Sequence, residues 1–295
     1  MLPHHSPQPA RPRQPPWFTV RMDDLIAAMA SLTGSSADPE VLGGDRGDVV
    51  VVRVGDVVAK AYPADTDVEA LRQRVEIAAA HPDLLLPPSM PLQFVDDRPV
   101  TVWPYGTPVS QSDPDGAPWE ESAQLLAKLH ALPVQGPTAG APERVVRAIR
   151  ALPPELPHAD VVLAAFEVLP PLGVSAKALI HGDWHLGQLV HRGAWRLIDV
   201  DDLGVGDPVW DLARPAALFA AGILPDDLWA RFLNTYRETG GVALPTSEWE
   251  ALNIPAQAYV VQMAARALVT GLQAVEPLVE ACRRIVAAHE LHDRG

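Results

Sequence analysis

One short segment constrains the fold more than any other part of the chain. It reads His181-Gly-Asp-Trp-His-Leu-Gly-Gln188, and an apolar run after it ends at a second carboxylate, Asp199. Inside the segment, Asp183 precedes the side-chain amide of Gln188 by five positions. Short β-type runs flank the segment and glycines bracket it, which predicts a loop between strands rather than a helix. We therefore expect Asp183, Gln188 and Asp199 to converge on one site.

These residue types suit the transfer of a phosphoryl group. A carboxylate orients the attacking hydroxyl, and two further oxygen donors bind Mg²⁺. The spacing of one Asp, four residues and one amide is that of a protein-kinase catalytic loop. Histidines at 181, 185 and 191 leave a His-rich metal site, and with it a His/Asp metallohydrolase, as an alternative. However, two histidines four residues apart suit zinc best on one helix face, and a loop is expected here.

A second motif, Gly206-Asp-Pro-Val-Trp-Asp-Leu-Ala213, follows downstream. Together with the 181–188 segment and Ile198-Asp199, it resembles the aminoglycoside phosphotransferase and choline kinase-like family. Members of that family keep a kinase-like fold and phosphorylate small molecules. The resemblance implies that Asp183 is the catalytic carboxylate and that Gln188 and Asp199 bind Mg²⁺.

The same resemblance assigns supporting roles. Asp211 is expected to be a buried anchor that hydrogen-bonds the catalytic loop, and Asp207 to cap the helix that follows. His181 is expected to shape the loop through hydrogen bonds, and His185 to be structural. Several C-terminal residues are candidates for the acceptor pocket, although periodicity does not separate pocket from core. They are Trp229, Tyr236, Trp249, Tyr259, Gln262 and Arg266.

Gln188 departs from the family pattern, in which most members carry asparagine. The extra methylene requires a different rotamer or a shifted loop to bring the amide oxygen back. The His-Leu-Gly-Gln form resembles a subgroup of bacterial sugar kinases that act on maltose or glucosamine. This likeness is partial, because Val200-Asp201 stands where that subgroup has Phe-Glu.

The N-terminal block contains candidate nucleotide-binding residues. Gly44 and Gly47 lie in a glycine-rich string between two predicted strands, which suits a turn over phosphates, although a hairpin turn gives the same pattern. Lys60 lies in Val57–Tyr62, which resembles the strand whose lysine binds the α- and β-phosphates. The alternative is that Lys60 is simply an exposed lysine on a strand. The acid that holds this lysine is expected on the next helix, at Glu76 or Glu69.

Two further local features are predicted nearby. Thr66 and Glu69 have the spacing of a capping box, which predicts a helix from there to Ala80. Val102–Gly106 reads as a strand that enters an inter-lobe hinge, where backbone groups would pair with adenine. Trp103 or Tyr105 would then pack against the base, or either residue would belong to the core.

The distribution of elements predicts an α+β, bilobal, protein-kinase-like fold. The first third is rich in strands, with candidates at 40–42, 48–54, 56–62, 84–86, 92–95 and 99–103. The remainder is mainly helical, with candidates at 119–131, 142–151, 158–168, 208–222, 225–239, 247–272 and 276–291, and Pro255 is expected to kink or split one of them. We therefore predict a disordered Pro-rich tail at 1–16, a small antiparallel-sheet lobe with one main helix at 17–104, and a larger helical lobe at 105–295.

Composition narrows the class of partner. Lys and Arg number 23 against 37 Asp and Glu, a net charge of −14, which argues against nucleic-acid or anionic-membrane binding. An acidic surface attracts a cationic substrate, although solubility alone explains the same balance. The single cysteine, Cys282, excludes an intrachain disulfide. No membrane span or signal-peptide core is evident, so we expect a cytoplasmic protein.

The resulting hypothesis is an ATP- and Mg²⁺-dependent phosphotransferase that acts on a hydroxyl of a small molecule. A sugar, an aminosugar, an aminoglycoside-like antibiotic or an amino alcohol is the expected acceptor. The rival hypothesis is a non-catalytic pseudokinase that binds a nucleotide or another ligand. The sequence leaves the oligomeric state open.

Overall fold

The computed structural model describes most of the chain. The described residues are 16–43, 49–110, 113, 116–173, 175–241, 244–245, 247–271 and 275–292. The predicted Pro-rich tail lies outside them, except for Pro16, at which the first helix begins. Gly44 and Gly47 also lie outside the described residues, so the turn over phosphates stays a prediction.

The chain divides into two compact units. The first contains the described residues up to Thr66 together with Ser89–Tyr105, and the second contains Asp67–Pro88 and the described residues from Gly106 onward. The segment Asp67–Pro88, which the sequence predicts in the N-terminal lobe, thus groups with the second unit. One reason is that Arg74 Nε donates to the backbone oxygen of Leu203, at 2.9 Å.

An antiparallel sheet forms the first unit, as predicted. Its five strands follow the order β1-β2-β3-β5-β4. Their bounds, and that of the helix α1, are α1 Pro16–Thr33, β1 Pro39–Gly43, β2 Val50–Val54, β3 Val57–Ala61, β4 Gln93–Val95 and β5 Arg98–Pro104. Alternate β2 residues Val50, Val52 and Val54 are buried, because successive side chains of a strand point to opposite faces. They form one core with Met29 of α1.

The helix α2, Val68–Ala80, belongs to the second unit and begins differently from the prediction. Its N-cap is Asp67, whose carboxylate accepts from the backbone N–H of Ala70 at 3.0 Å. The predicted capping box at Thr66 and Glu69 is therefore wrong. The carboxylate of Asp67, one position later, accepts from one of the free N–H groups of the first turn.

The rest of the second unit is mainly helical, as predicted. Its helices are α3 Trp119–His130, α4 Ala141–Arg150, α5 Ala159–Glu167, α6 Val209–Ala220, α7 Asp226–Glu238, α8 Glu248–Thr270 and α9 Val275–His292. The helix α8 continues through Pro255, so the helix is not split there, and the kink that was the alternative stays a prediction. Proline removes one backbone N–H, and the packing of α8 against α4, α5, α6 and α9 stabilises the helix across that position. In the described part of the chain, no helix has the length and apolar character needed to cross a membrane.

Short strands of the second unit surround the predicted catalytic loop. Their bounds are β6 Thr107–Pro108, β7 Ala178–Ile180, β8 Leu189–Arg192, β9 Ala194–Leu197 and β10 Gly204–Gly206. β7 pairs with β10, and β8 pairs with β6 and β9, all antiparallel. The predicted strand at Leu84–Leu86 is wrong, since Leu85 forms only an isolated bridge to Leu197. The 181–188 segment thus connects β7 to β8, and Asp199 follows β9.

Candidate active site

A buried carboxylate anchors the loop that carries Asp183. The backbone N–H of His181 donates to Oδ2 of Asp211 at 2.6 Å, and that of Gly182 donates to Oδ1 at 2.8 Å. Asp211 lies in the first turn of α6 and is fully buried. The predicted anchoring role of Asp211 is confirmed by these two hydrogen bonds.

A histidine and a tyrosine complete the anchor. Nε2 of His130 lies 3.0 Å from Oδ2 of Asp211, and its Nδ1 lies 2.8 Å from the hydroxyl of Tyr236. Burial raises the pKa of Asp211, but the hydrogen bond and the charge of His130, together with His181, outweigh burial and hold that pKa below its ordinary value. Asp211 is therefore an ionised acceptor that fixes the entry to the loop.

The two loop histidines bond to backbone groups, as expected for structural residues. Nε2 of His181 lies 2.8 Å from the carbonyl oxygen of Ile198, and since a carbonyl only accepts, this nitrogen carries the proton. Nδ1 of His185 accepts from the backbone N–H of Gly187 at 3.0 Å. Burial and the nearby Arg214 and His181 lower the pKa of His185 to about 3, so this ring is neutral near pH 7. In the described ranges, no group of three or more His, Cys, Asp or Glu side chains is placed to hold a metal ion.

Gln188 and Asp199 lie side by side. Nε2 of Gln188 donates to Oδ2 of Asp199 at 3.0 Å, and the backbone N–H of Ile198 donates to the carbonyl of Gln188 at 2.9 Å. Asp199 adopts a left-handed backbone with φ of 61°, which is uncommon for a non-glycine residue and is concentrated at functional sites. Carboxylate and amide oxygens are donors that suit Mg²⁺. Asp199 and Gln188 therefore fit the metal that the resemblance implies.

Two arginines hold the carboxylate of Asp183. Nη2 of Arg214 lies 2.5 Å from Oδ1, and Nη2 of Arg144 lies 2.5 Å from Oδ2. Arg144 also pairs with Asp202, which lies 3.6 Å from Arg147 as well. Burial raises the pKa of Asp183, while the two guanidiniums oppose this shift. The structure thus places the predicted catalytic carboxylate in a buried network of charges.

Neither arginine was among the site residues predicted from the sequence. Arg214 lies three positions after Asp211 on α6, and residues three apart share a helix face, so the spacing offers a signal for it. Arg144 belongs to α4, far from the motif in sequence, and no pattern points to it. Only the packing of the second unit brings Arg144 to Asp183.

A cavity of about 300 Å³ lies beside the loop. Trp184, inside the 181–188 segment, forms part of the cavity wall and stacks on Phe232, with ring centroids 5.0 Å apart. Among the described residues that line it, Arg214 is the one with a full charge at neutral pH. The wall includes Trp119, Trp184, His185, Arg214, Leu218, Ile223 and Leu224. This cavity can accept the apolar body of a small molecule next to Asp183.

The predicted nucleotide residues of the first unit lie on its sheet. Nζ of Lys60, on β3, lies 5.2 Å from the centroid of the Tyr62 ring. Nε1 of Trp103 donates to Oγ1 of Thr101 at 2.8 Å. The roles proposed for Lys60 and Trp103 stay predictions.

Tyr105 and Glu76 also have defined surroundings. The backbone N–H of Tyr105 donates to the carbonyl of Asp56 at 2.7 Å, and the guanidinium of Arg53 lies 3.6 Å from the centre of its ring. The backbone N–H of Tyr105, one of the hinge groups expected to pair with adenine, is thus hydrogen-bonded within the first unit. Glu76 is exposed on α2, and Glu69 is exposed and accepts from Gln73 at 3.0 Å. Which glutamate holds Lys60 stays a prediction.

Comparison with solved structures reveals the same fold in small-molecule kinases. The chain is similar to the choline kinase of Streptococcus pneumoniae, with a TM-score of 0.60, 18% identity and coverage of 92% of this chain and 99% of that one. It is similar to a choline/ethanolamine kinase family protein of Mesorhizobium loti, with a TM-score of 0.58, 18% identity and coverage of 92% and 94%.

An aminoglycoside phosphotransferase of Streptomyces rimosus gives a TM-score of 0.56 at 18% identity, with coverage of 87% of this chain and 98% of that one. No curated protein sequence matches the chain. The sequence profile of the phosphotransferase enzyme family matches residues 38–254, which is more than half of the chain. The predicted bilobal, kinase-like fold is confirmed by these likenesses, and the chain belongs to the phosphotransferase enzyme family.

Proposed function

We propose that the protein is an ATP- and Mg²⁺-dependent phosphotransferase that transfers the γ-phosphate to a hydroxyl of a small molecule. One observation carries the proposal: Asp183 lies on a loop that the buried Asp211 anchors, and the amide of Gln188 at the end of that loop is hydrogen-bonded to the carboxylate of Asp199. The family to which the chain belongs and the complex of the similar S. pneumoniae enzyme with AMP support the use of a nucleotide.

The residues divide the chemistry among them. Asp183 accepts a hydrogen bond from the acceptor hydroxyl. This hydrogen bond orients the hydroxyl so that a lone pair of its oxygen points at the γ-phosphorus. Because the transition state is loose, positioning of the hydroxyl matters more than its full deprotonation. Asp199 and Gln188 would hold Mg²⁺, which when bound offsets the negative charge of the phosphates. Lys60 would bind the α- and β-phosphates from the first unit.

The Asp183→Asn variant tests the catalytic role. Loss of a positioned general base lowers the transfer rate by about 10²–10⁴-fold, while nucleotide binding stays intact. ADP release should be measured against a panel of hexoses, aminosugars, aminoglycosides, amino alcohols and hydroxy acids. Transfer by Asp183→Asn at the wild-type rate contradicts the assignment.

The Asp199→Ala variant tests the metal site separately. Saturating ATP with Mg²⁺, at about 100 times Kd, stabilises the folded wild-type protein by about 2.7 kcal/mol and raises its melting temperature. Asp199→Ala should lose most of that increase, whereas Asp226→Ala, at an exposed position in α7, should keep it. An equal increase in both variants excludes Asp199 from the nucleotide site.

A second candidate function is that of a pseudokinase. Two observations favour it: both oxygens of Asp183 are bonded to arginines, and Gln188 stands where most of the family has asparagine. A pseudokinase shows the melting shift with nucleotide and no ADP release with any acceptor. Transfer that requires Asp183 excludes this candidate.

A further inference from the structure

Arginine side chains flank the carboxylate of Asp183. Three guanidiniums, those of Arg144, Arg147 and Arg214, contact the two carboxylates of Asp183 and Asp202. The guanidiniums of Arg144 and Arg214 repel a cationic ligand that lies next to them and attract an anionic one.

Two of these arginines are also poorly explained by catalysis alone. The side chains of Arg144 and Arg214 are 17% and 13% exposed, and burial of a charge is costly unless the charge is paired. Each guanidinium weakens the basicity of the carboxylate that accepts the hydroxyl proton, so proton transfer does not explain the two arginines. The arginines therefore need another reason to lie there.

The neighbouring cavity supplies an independent observation. Arg214 forms part of its wall, in the midst of Trp119, Trp184, Leu218 and Ile223. A guanidinium in an apolar wall favours an anion strongly, since few waters compete for its N–H groups. The cavity thus offers apolar surface for the body of a ligand and a positive charge next to Asp183.

Buried polar groups around the arginines remain unpaired. Within the part of the chain that the structure describes, Nε of Arg144, Nε of Arg214, the hydroxyl of Tyr259 and Oε1 of Gln262 have no hydrogen-bond partner. Tyr259 and Gln262 are almost fully buried on α8, and the guanidinium of Arg214 lies 5.0 Å from the centre of the Tyr259 ring. Unpaired buried groups are rare in folded proteins, and strain, a catalytic role, or a bound water or ion accounts for them.

We propose that the acceptor is a small hydroxyl compound that carries a carboxylate or phosphate group on a partly apolar body. This inference rests on the proposed phosphotransferase function and names its substrate class. The anionic group binds Arg214 and Arg144 in place of the oxygens of Asp183, which frees Asp183 to accept the hydroxyl. In the transfer, the bond between the γ-phosphorus and the bridging oxygen of ATP breaks, and ADP leaves. A bond forms between that phosphorus and the acceptor oxygen, and the hydroxyl proton passes to Asp183.

A matched acceptor series tests the charge preference. The first set of acceptors shares a hexose ring and consists of a hexuronate, a hexose phosphate, a neutral hexose and a 2-aminohexose. The second set consists of 3-phenyllactate and its neutral amide. ADP release with ATP and Mg²⁺ gives kcat/KM for each acceptor. Calorimetric titration of the same compounds, without nucleotide, gives binding independently of transfer. We expect at least one anionic compound to exceed its neutral partner by about 10–100-fold, the ordinary effect of a hydrogen bond to a charged group.

Substitutions of arginine residues test whether Arg214 causes the preference for anionic acceptors. Arg214→Gln should raise KM for the anionic acceptor by about 10–100-fold and leave KM for ATP unchanged, and Arg214→Lys should restore part of the loss. Arg150→Gln is the matched control, because Arg150 lies on the same helix as Arg144, is 73% exposed and pairs with Glu143. The ratio of KM for the anionic acceptor to KM for its neutral partner should rise in Arg214→Gln and stay at the wild-type value in Arg150→Gln.

The possible results distinguish the proposed anion site from the proposed phosphotransferase function. If phosphate is transferred to the neutral or 2-amino compounds in preference to the anionic ones, the proposed anion site is wrong and the phosphotransferase function is supported. Anionic compounds that bind through Arg214 but receive no phosphate support the anion site and overturn the phosphotransferase. If no anionic compound binds or is phosphorylated, the inference is wrong. If Arg214→Gln changes kcat alone, the arginine positions Asp183 and does not hold the acceptor.

Discussion

The substitution Asp211→Asn tests whether a buried carboxylate holds the catalytic loop. Asp211 accepts from the backbone N–H groups of His181 and Gly182 and from the ring of His130. Asparagine has the same shape, so its Oδ1 can still accept from Gly182. Its NH₂ group would face the donors of His181 and His130, and two hydrogen bonds to a charged group would be lost.

The expected loss of stability follows from these contacts. Removal of one partner from a buried charged pair costs about 3–5 kcal/mol. We expect the lower figure, about 3 kcal/mol, because the bond to Gly182 survives. For a domain of about 150–250 residues, 1 kcal/mol shifts Tm by about 2–4 °C, so Tm should fall by roughly 6–12 °C.

Thermal unfolding followed by circular dichroism measures this effect. Asp226→Asn is the matched control, since Asp226 is also in the first turn of a helix but is exposed. That substitution removes only the interaction with the helix dipole, about 0.3–1 kcal/mol. If Asp211→Asn lowers Tm no more than Asp226→Asn does, the anchor reasoning is wrong.

The same variant has a predictable pH dependence. The pKa of Asp211 is lowered in the folded state, so its stabilising contribution is complete above the unfolded value of about 3.9. The contribution is lost as pH falls from there through the folded pKa. The difference in Tm between wild type and Asp211→Asn should therefore be constant near neutral pH and shrink below about pH 4. A difference that grows on acidification contradicts an ionised Asp211.

Three further predictions follow from single positions. Burial raises the pKa of Asp183, so kcat/KM should fall as pH drops through a value above that of an ordinary aspartate, and a profile flat down to about pH 4 contradicts this. Burial raises the pKa of the Cys282 thiol to about 12, so it should react with a disulfide reagent only after unfolding in urea; rapid reaction of the native protein contradicts this. Gly182→Ala should destabilise the fold, because φ is +82° and the new Cβ would lie 2.2 Å from the backbone oxygen of Asp202. Gly193→Ala, with φ of +75° and nothing within 4 Å, has the backbone strain of about 1–3 kcal/mol without the clash, so an equal fall in Tm for both variants contradicts the steric argument.

Local features of the fold could be predicted from the sequence where the signal is short-range. The β-branched run Val50–Val54, the glycine at position 55 and the valines that follow it predict two strands joined by a turn without any tertiary information. The capping of α2 could not be predicted correctly, because Thr66 and Asp67 are both good N-cap residues. The choice between them depends on which backbone conformation the preceding turn allows.

From the sequence alone, Asp183, Gln188 and Asp199 can be recognised as candidate site residues, because they lie in one segment of 17 residues that contains β-type runs. The hydrogen bond from Gln188 to Asp199 then needs only two adjacent strands to form. Which charged side chains surround Asp183 depends on the tertiary structure and cannot be predicted from the motif. Arg144 reaches it from a helix that no local pattern connects to the motif, because long-range packing of helices, unlike helix or strand periodicity, is not encoded in the spacing of neighbouring residues.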